Sequence, residues 1–241
     1  MESRYRNRVI RSLKVLFFLA SLTVAPLATA QPPIMPFTLD YRLKSEGIPF
    51  TITATRTLRQ VQGGLWEMEV SAKNWLGEIR ETALFNWQSC TPQSSYYAYL
   101  RKGLGRVKEA TLHLDRDTGM ADSARTGKAA FSYPISDTAT DELSVSLALQ
   151  CALADGARDI ELDVADEKSL EKQRFRVVGE DTLRIDGERM KTIKVQRVRA
   201  ANSPRQTFMW FAPKHHYLLV QLQQKNNDGE HVMTLQSLEG Q

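Results

Sequence analysis

The side chains able to do chemistry are few and scattered. Asp117-Thr118-Gly119 matches the tripeptide of aspartic proteases, whose activity needs two carboxylates sharing one proton. Here Arg116 precedes the triplet where those enzymes have an apolar strand, and no second copy supplies a partner. Asp-Thr-Gly reads instead as a hairpin corner. Asp115, Asp117 and Asp122 fall short of a calcium loop: Gly119 breaks the spacing and no glutamate closes the site. His215 and His216 are adjacent, so on a strand they would point to opposite faces. The other histidines, His113 and His231, have no carboxylate-rich spacing around them, and no metal site is expected. No Gly-x-Ser-x-Gly elbow is present. The basic stretch from Arg101 to Lys108 lacks the third glycine and the following helix of a dinucleotide loop. It reads as an exposed hairpin, with contact to an anionic head group as the sharper alternative. This inventory assigns no catalytic residue and no cofactor, and it points away from an enzyme.

The first thirty residues read as an address. Arg4, Arg6, Arg8, Arg11 and Lys14 precede an apolar run from Val15 to Leu27, and Ala28-Thr29-Ala30 offers small residues for cleavage. That is the pattern of a secretory signal peptide, with the mature chain starting near Gln31. The apolar run is shorter than the roughly 20 residues of a spanning helix, and Pro26 interrupts it. No cysteine stands at the cleavage point for lipid attachment and no Arg-Arg pair marks a twin-arginine route. A periplasmic protein with no membrane span after cleavage is expected. Of 32 basic and 28 acidic residues, five and one lie in the leader, which leaves 27 of each. The formal charge of +4 therefore belongs to the leader, and the electrostatic case for a nucleic-acid partner lapses. In an oxidising compartment Cys90 and Cys151, the two cysteines of the chain, read as one disulfide.

The elements that must position these groups are mostly strands. Phe37, Leu39, Tyr41 and Leu43 alternate with polar residues; so do Phe50, Ile52 and Ala54, then Trp66, Met68, Val70 and Ala72, then Ala83, Phe85 and Trp87. The pattern returns at Ile160–Val164, Phe175–Val177, Ile193–Val195, Phe208–Trp210 and Leu218–Leu222. Period-two alternation gives strands with one apolar and one wet face, the mark of antiparallel sheet. Gly63-Gly64, Gly77, Asp186-Gly187 and Asp228-Gly229 punctuate the runs as turns. About a dozen strands follow. One segment, Asp141 to Ala154, has helical spacing through Leu143, Leu147 and Cys151. Thr138 or Thr140 would cap its start, and Asp155-Gly156 would end it. A Cys90–Cys151 bond would staple that helix to the sheet.

The stretch Trp210-Phe211-Ala212-Pro213-Lys214-His215-His216-Tyr217-Leu218-Leu219-Val220 resembles the C-terminal motif of a family of exported bacterial proteins, domain of unknown function 3108. Asp141-Glu142-Leu143-Ser144 is similar to that family's Asp-x-Leu-Ser, and Thr182–Gly187 with Lys191-Thr192 to its Gly-x-x-x-Thr segment. Lys214 replaces the usual Asp and Leu219 the usual Pro. The resemblance spans roughly 37–237 and implies a periplasmic, β-rich protein of unassigned activity. By looser fold analogy it resembles the LolA/LolB half-barrels, which hold acyl chains under a helical lid.

The expectation is a mainly β protein: 31–241 as one domain, with an antiparallel, strongly curved sheet, half-barrel or barrel-like, and one main α-helix packed on it. Its role would be non-enzymatic binding of an apolar or amphipathic ligand, a lipid or envelope component, lined by Trp66, Trp75, Phe85, Trp87, Leu143, Leu147 and Trp210. The alternative is a structural or protein-interaction module of the cell envelope with a solid core.

Overall fold

The computed structural model describes residues 34–75, 77–103, 105–227 and 229–238. The leader and its cleavage point lie outside the described residues, as does Asp228 of the Asp228-Gly229 turn. The chain opens with eight successive strands: β1 (Phe37–Ser45), β2 (Ile52–Gln60), β3 (Trp66–Asn74), β4 (Gly77–Gln88), β5 (Thr91–Gly103), β6 (Arg106–Asp115), β7 (Met120–Arg125) and β8 (Phe131–Pro134). After the short β9 (Thr140–Asp141) comes α1 (Val145–Ala154). The second run is β10 (Asp159–Ala165), β11 (Leu170–Ile185), β12 (Glu188–Val198), β13 (Gln206–Ala212), β14 (Leu218–Asn226) and β15 (Gly229–Leu235).

All belong to one 15-stranded sheet. β1 to β8 lie in sequence order on one side, and β15 back to β9 on the other, so the first and last full strands pair at the centre. Neighbours are antiparallel except the two-residue β9, which runs parallel to β10. The sheet ends at β8 and β9 without closing into a barrel. Bulges between Leu84 and Phe85, Val177 and Gly179, and Trp210 and Phe211 shift the register and add local bend and twist. Two strands in the stretch 91–134 carry no clear apolar alternation: β5 buries Ser94 and Tyr97, and β7 buries Ala121 and Ser123. Small and polar inward residues explain why the count exceeds a dozen.

The helix lies along the buried side of the sheet and is nearly all core. Leu147 packs with Leu58, Met68, Phe85 and Leu112 of the first run of strands. Val145, Leu149 and Leu153 pack with Phe175, Val195, Met209 and Phe211 of the second. One helix thereby bridges both halves, and only Ala154 at its end is exposed. It starts at Val145, four residues later than its spacing suggests, because the preceding turn is organised differently from a threonine cap. The fully buried Asp141 accepts the backbone N–H groups of Leu143 and Ser144 at 2.8 and 2.9 Å and the Ser94 hydroxyl. It thus organises the turn that enters the helix and ties it to β5.

The far end is tied by the Cys90–Cys151 disulfide, with Cα atoms 5.4 Å apart. Cys90 sits in the two-residue β4–β5 turn, where Ser89 and Cys90 both have positive φ (49° and 61°). That position favours Asn-Gly, so the turn holds two residues ill-suited to it, one of them bonded to the helix. A further close approach fixes Gly77: a Cβ there would lie 2.1 Å from the Lys102 carbonyl oxygen. Among the described residues, no helix is long and apolar enough to cross a membrane.

The disulfide closes a loop between residues 61 apart in sequence. Cys151→Ser should lower unfolding stability by about 2–4 kcal/mol, read from denaturant midpoints of oxidised protein, with reduction of the wild type moving the midpoint the same way. An unchanged midpoint in both would contradict the staple.

Candidate functional site

The alternation of two strands is broken on its inward phase, and the breaks meet. In β2, Arg56 stands between Ala54 and Leu58, and all three are buried. In β4, Glu81 stands between Ile79 and Ala83. Register places Arg56 opposite Val70, and Val70 opposite Glu81, so the two charges share one face. That face borders a cavity of about 310 Å³ at the start of α1. Its polar lining includes Arg56, Glu81, Tyr97, Ser146, Gln173 and Arg197, and its apolar lining includes Val70, Val145, Phe175, Met209 and Leu219. The hollow is amphipathic: greasy walls with a few placed polar groups, the usual make-up of a ligand site.

Arg56 is 3% exposed. Its Nη2 donates to Ser146 Oγ and lies 3.8 Å from Met68 Sδ, and its guanidinium sits 5.7 Å from the Phe37 ring centroid. Tyr41, beside it, donates its hydroxyl to the Leu219 carbonyl at 2.7 Å. All of these partners are neutral. Among the described residues, no carboxylate lies within ion-pair distance of Arg56, whereas Arg197 at the same cavity is paired to Glu142 and Glu171 at 3.3 and 3.2 Å. Burial pulls the Arg56 pKa down, yet a guanidinium keeps its proton in a protein. An unsatisfied group belongs to the same lining: Gln173, 4% exposed, donates Nε2 to Glu142 at 2.7 Å and leaves Oε1 without a donor. Such groups cost free energy unless something pairs them.

A separate, mainly apolar cleft of about 350 Å³ lies at the other end of the helix. Leu147 and Ala154 of α1, Ile34 and Phe37, and the corner Pro213–Leu218 line it. Here β13 ends before Pro213, a single 3₁₀ turn follows, and His216 and Tyr217 take positive φ of 50° and 56°. Gln150 of the helix donates to the His216 carbonyl at 2.8 Å and holds this costly conformation. The motif residues therefore build a corner, and among the described residues neither histidine belongs to a cluster of three or more potential metal ligands.

The residues expected to line one pocket are dispersed. Phe85 and Leu147 are buried in one apolar cluster, with Trp66, Trp87 and Leu143 packed against it. Leu143 also borders the polar cavity and Leu147 the apolar cleft. Trp210 belongs to a different cluster, with Tyr41, Ile185 and Val220, and donates its indole N–H to Asp181 at 2.8 Å. Trp75 is 83% exposed at the β3–β4 turn, against Phe50. Asp117-Thr118-Gly119 is a turn whose N–H groups at 117 and 118 bond Asp115 Oδ1. Arg56, Glu81 and Gln173 belong to no motif in the sequence, although each sits on the inward phase of its strand.

Burial raises the Glu81 pKa to about 7, against which the Tyr97 hydroxyl, 3.4 Å away, acts by donating to the carboxylate. The unfolded value is near 4.5, so the folded chain binds the proton more tightly. This contribution to stability is complete below pH 4.5 and is lost as pH rises through 7. Thermal unfolding should show stability falling over that window, and Glu81→Gln should remove that part of the slope and stabilise the protein at pH 8 by about 3 kcal/mol. A slope identical in the variant would contradict the assignment.

The family model described as "Protein of unknown function (DUF3108)" matches residues 37–236. No curated protein matches the chain. Among solved structures it is similar to a β-barrel-like protein of domain of unknown function DUF1849 from Brucella abortus, at 7% identity and a TM-score of 0.55, covering 83% of this chain and 95% of that one. That likeness concerns the fold alone. With the family model spanning nearly all the described residues, the chain belongs to the DUF3108 family of proteins of unknown function.

Proposed function

We propose that this protein is an exported, non-enzymatic binding module for an amphipathic molecule with an acidic head group. The observation that carries the reading is Arg56: a buried guanidinium with only neutral partners, on the wall of a cavity that is otherwise half apolar. An anionic oxygen there would gain a charge-assisted hydrogen bond and relieve the uncompensated charge. A hydroxyl or amide hydrogen of the same head group would satisfy Gln173 Oε1. The apolar part would lie against Val145, Phe175, Met209 and Leu219, gaining about 25 cal/mol per Å² of surface removed from water. Binding would be passive, gated by small shifts of the turn before α1. The disulfide fits an oxidising compartment such as the periplasm.

Mass spectrometry of natively purified mature protein should reveal co-purifying acyl or other amphipathic acids. After delipidation, Arg56→Met should weaken rebinding of such an acid about 10- to 100-fold while leaving the unfolding midpoint equal or higher, since an apolar replacement for an unpaired buried charge removes a cost. A protein that carries no such species, or a variant that binds as the wild type does, would overturn the reading. Retention of envelope proteins on the immobilised protein, with no bound amphiphile, would favour an assembly module instead.

A further inference from the structure

A different part of the molecule speaks to where it works. The antiparallel register puts the β1–β2 loop, the β3–β4 turn and the β5–β6 turn on one rim. At that rim Trp75 is 83% exposed, with Phe50 beside it at a ring separation of 6.1 Å and Ile48 exposed in the adjoining loop. The other three tryptophans are fully or partly buried. Asn74 holds the turn under Trp75 by accepting the Gly77 N–H at 3.1 Å. Cations surround this aromatic tip. Residues 73–80 and 101–108 contain Lys73, Arg80, Arg101, Lys102, Arg106 and Lys108, with Glu78 as the one acid. All six cations are exposed. None has an ion-pair partner within 4.0 Å among the described residues, whose salt bridges lie elsewhere, several of them between β10 and β11.

This local excess of five positive charges stands in a chain whose residues 31–241 balance 27 against 27. Charge without internal partners is complementary to an external anion. An exposed indole at a hairpin apex suits an environment that rewards both an apolar ring and its N–H, as the head-group layer of a bilayer does. Nucleic acid would also attract the cations, but the indole and Ile48 project from a tip, where a membrane can take them in. We infer that this rim docks the protein on a bilayer surface rich in anionic phospholipid, reversibly and without insertion of a strand or helix. The inference is independent of what the cavity holds.

The full mature chain should be mixed with phosphatidylcholine vesicles with and without phosphatidylglycerol, and binding read by co-sedimentation and by tryptophan emission. Binding is expected only with phosphatidylglycerol, with a blue shift, and should fade as salt shortens the screening length. Each cation near such a surface contributes roughly fivefold, so Arg101→Gln with Lys102→Gln should weaken partitioning on the order of 25-fold. Trp75→Ser should weaken it and abolish the blue shift. Both sites are exposed, and an unchanged unfolding midpoint verifies that each variant is folded. Equal partitioning to both vesicle types, an unchanged blue shift in Trp75→Ser, or binding to a short single-stranded oligonucleotide but to neither vesicle would overturn the inference.

Discussion

A sheet of 15 strands with an apolar inner face cannot stand in water uncovered, and among the described residues one ten-residue helix packs into two of its three apolar clusters. The packing of α1 against both runs of strands is therefore the interaction on which the rest depends. Leu147 faces one half of the sheet, and Val145, Leu149 and Leu153 face the other. A helix this short is marginal alone, and its position is fixed by tertiary ties at both ends. Asp141 anchors the start through Ser94 and two backbone N–H groups, and Cys90 anchors the far end through Cys151. With the middle of the interior filled, the free space divides into an apolar cleft beyond one end of the helix and an amphipathic cavity at the other. Each of these two hollows uses the helix as a wall.

Arg56 is where the two hollows approach each other. Its guanidinium lines the cavity and lies over Phe37, which lines the cleft. Because Ser146 of the helix accepts from Arg56, an occupant that competes for the guanidinium acts directly on the contact between helix and sheet. In the proposed function, ligand occupancy and helix packing would thus be linked through one side chain. The cavity is also bordered by Thr207 and Gln224, near the ends of β13 and β14 that lie on the same side of the sheet as the aromatic and basic rim. A surface that meets the bilayer on that side would present the amphipathic cavity, and not the apolar cleft, toward the source of amphiphiles.

Much of the architecture was legible in the residues. Alternation such as Phe37-Leu39-Tyr41-Leu43 marks strands by physical necessity, since successive side chains leave opposite faces. The helical spacing of Leu143, Leu147 and Cys151 distinguishes α1 from everything around it. The pairing of Cys90 with Cys151 rests on compartment chemistry and on there being two cysteines. The strands between 91 and 134 were harder to see because small and hydroxyl residues such as Ser94, Ala121 and Ser123 occupy their inward positions. The site was the least legible part, for a related reason. Large aromatics are conspicuous in a sequence, yet burial of a tryptophan depends on where its strand ends. Trp210 is sealed in a second cluster and Trp75 stands at a turn. The stronger signal was the polar residue on an apolar phase: Arg56 after Phe50, Ile52 and Ala54, and Glu81 between Ile79 and Ala83. A charge on an inward phase needs a reason.

The central claim is that Arg56 receives the acidic head of an amphiphile inside the curved sheet. A crystal structure of delipidated protein soaked with an ω-brominated medium-chain carboxylic acid tests it most directly, because the anomalous signal of bromine locates the tail without bias. The account predicts a carboxylate oxygen at hydrogen-bond distance from the Arg56 guanidinium and bromine among the apolar residues of the same cavity. Bromine confined to the outer surface, or an acid seated in the apolar cleft with its carboxylate away from Arg56, would contradict it.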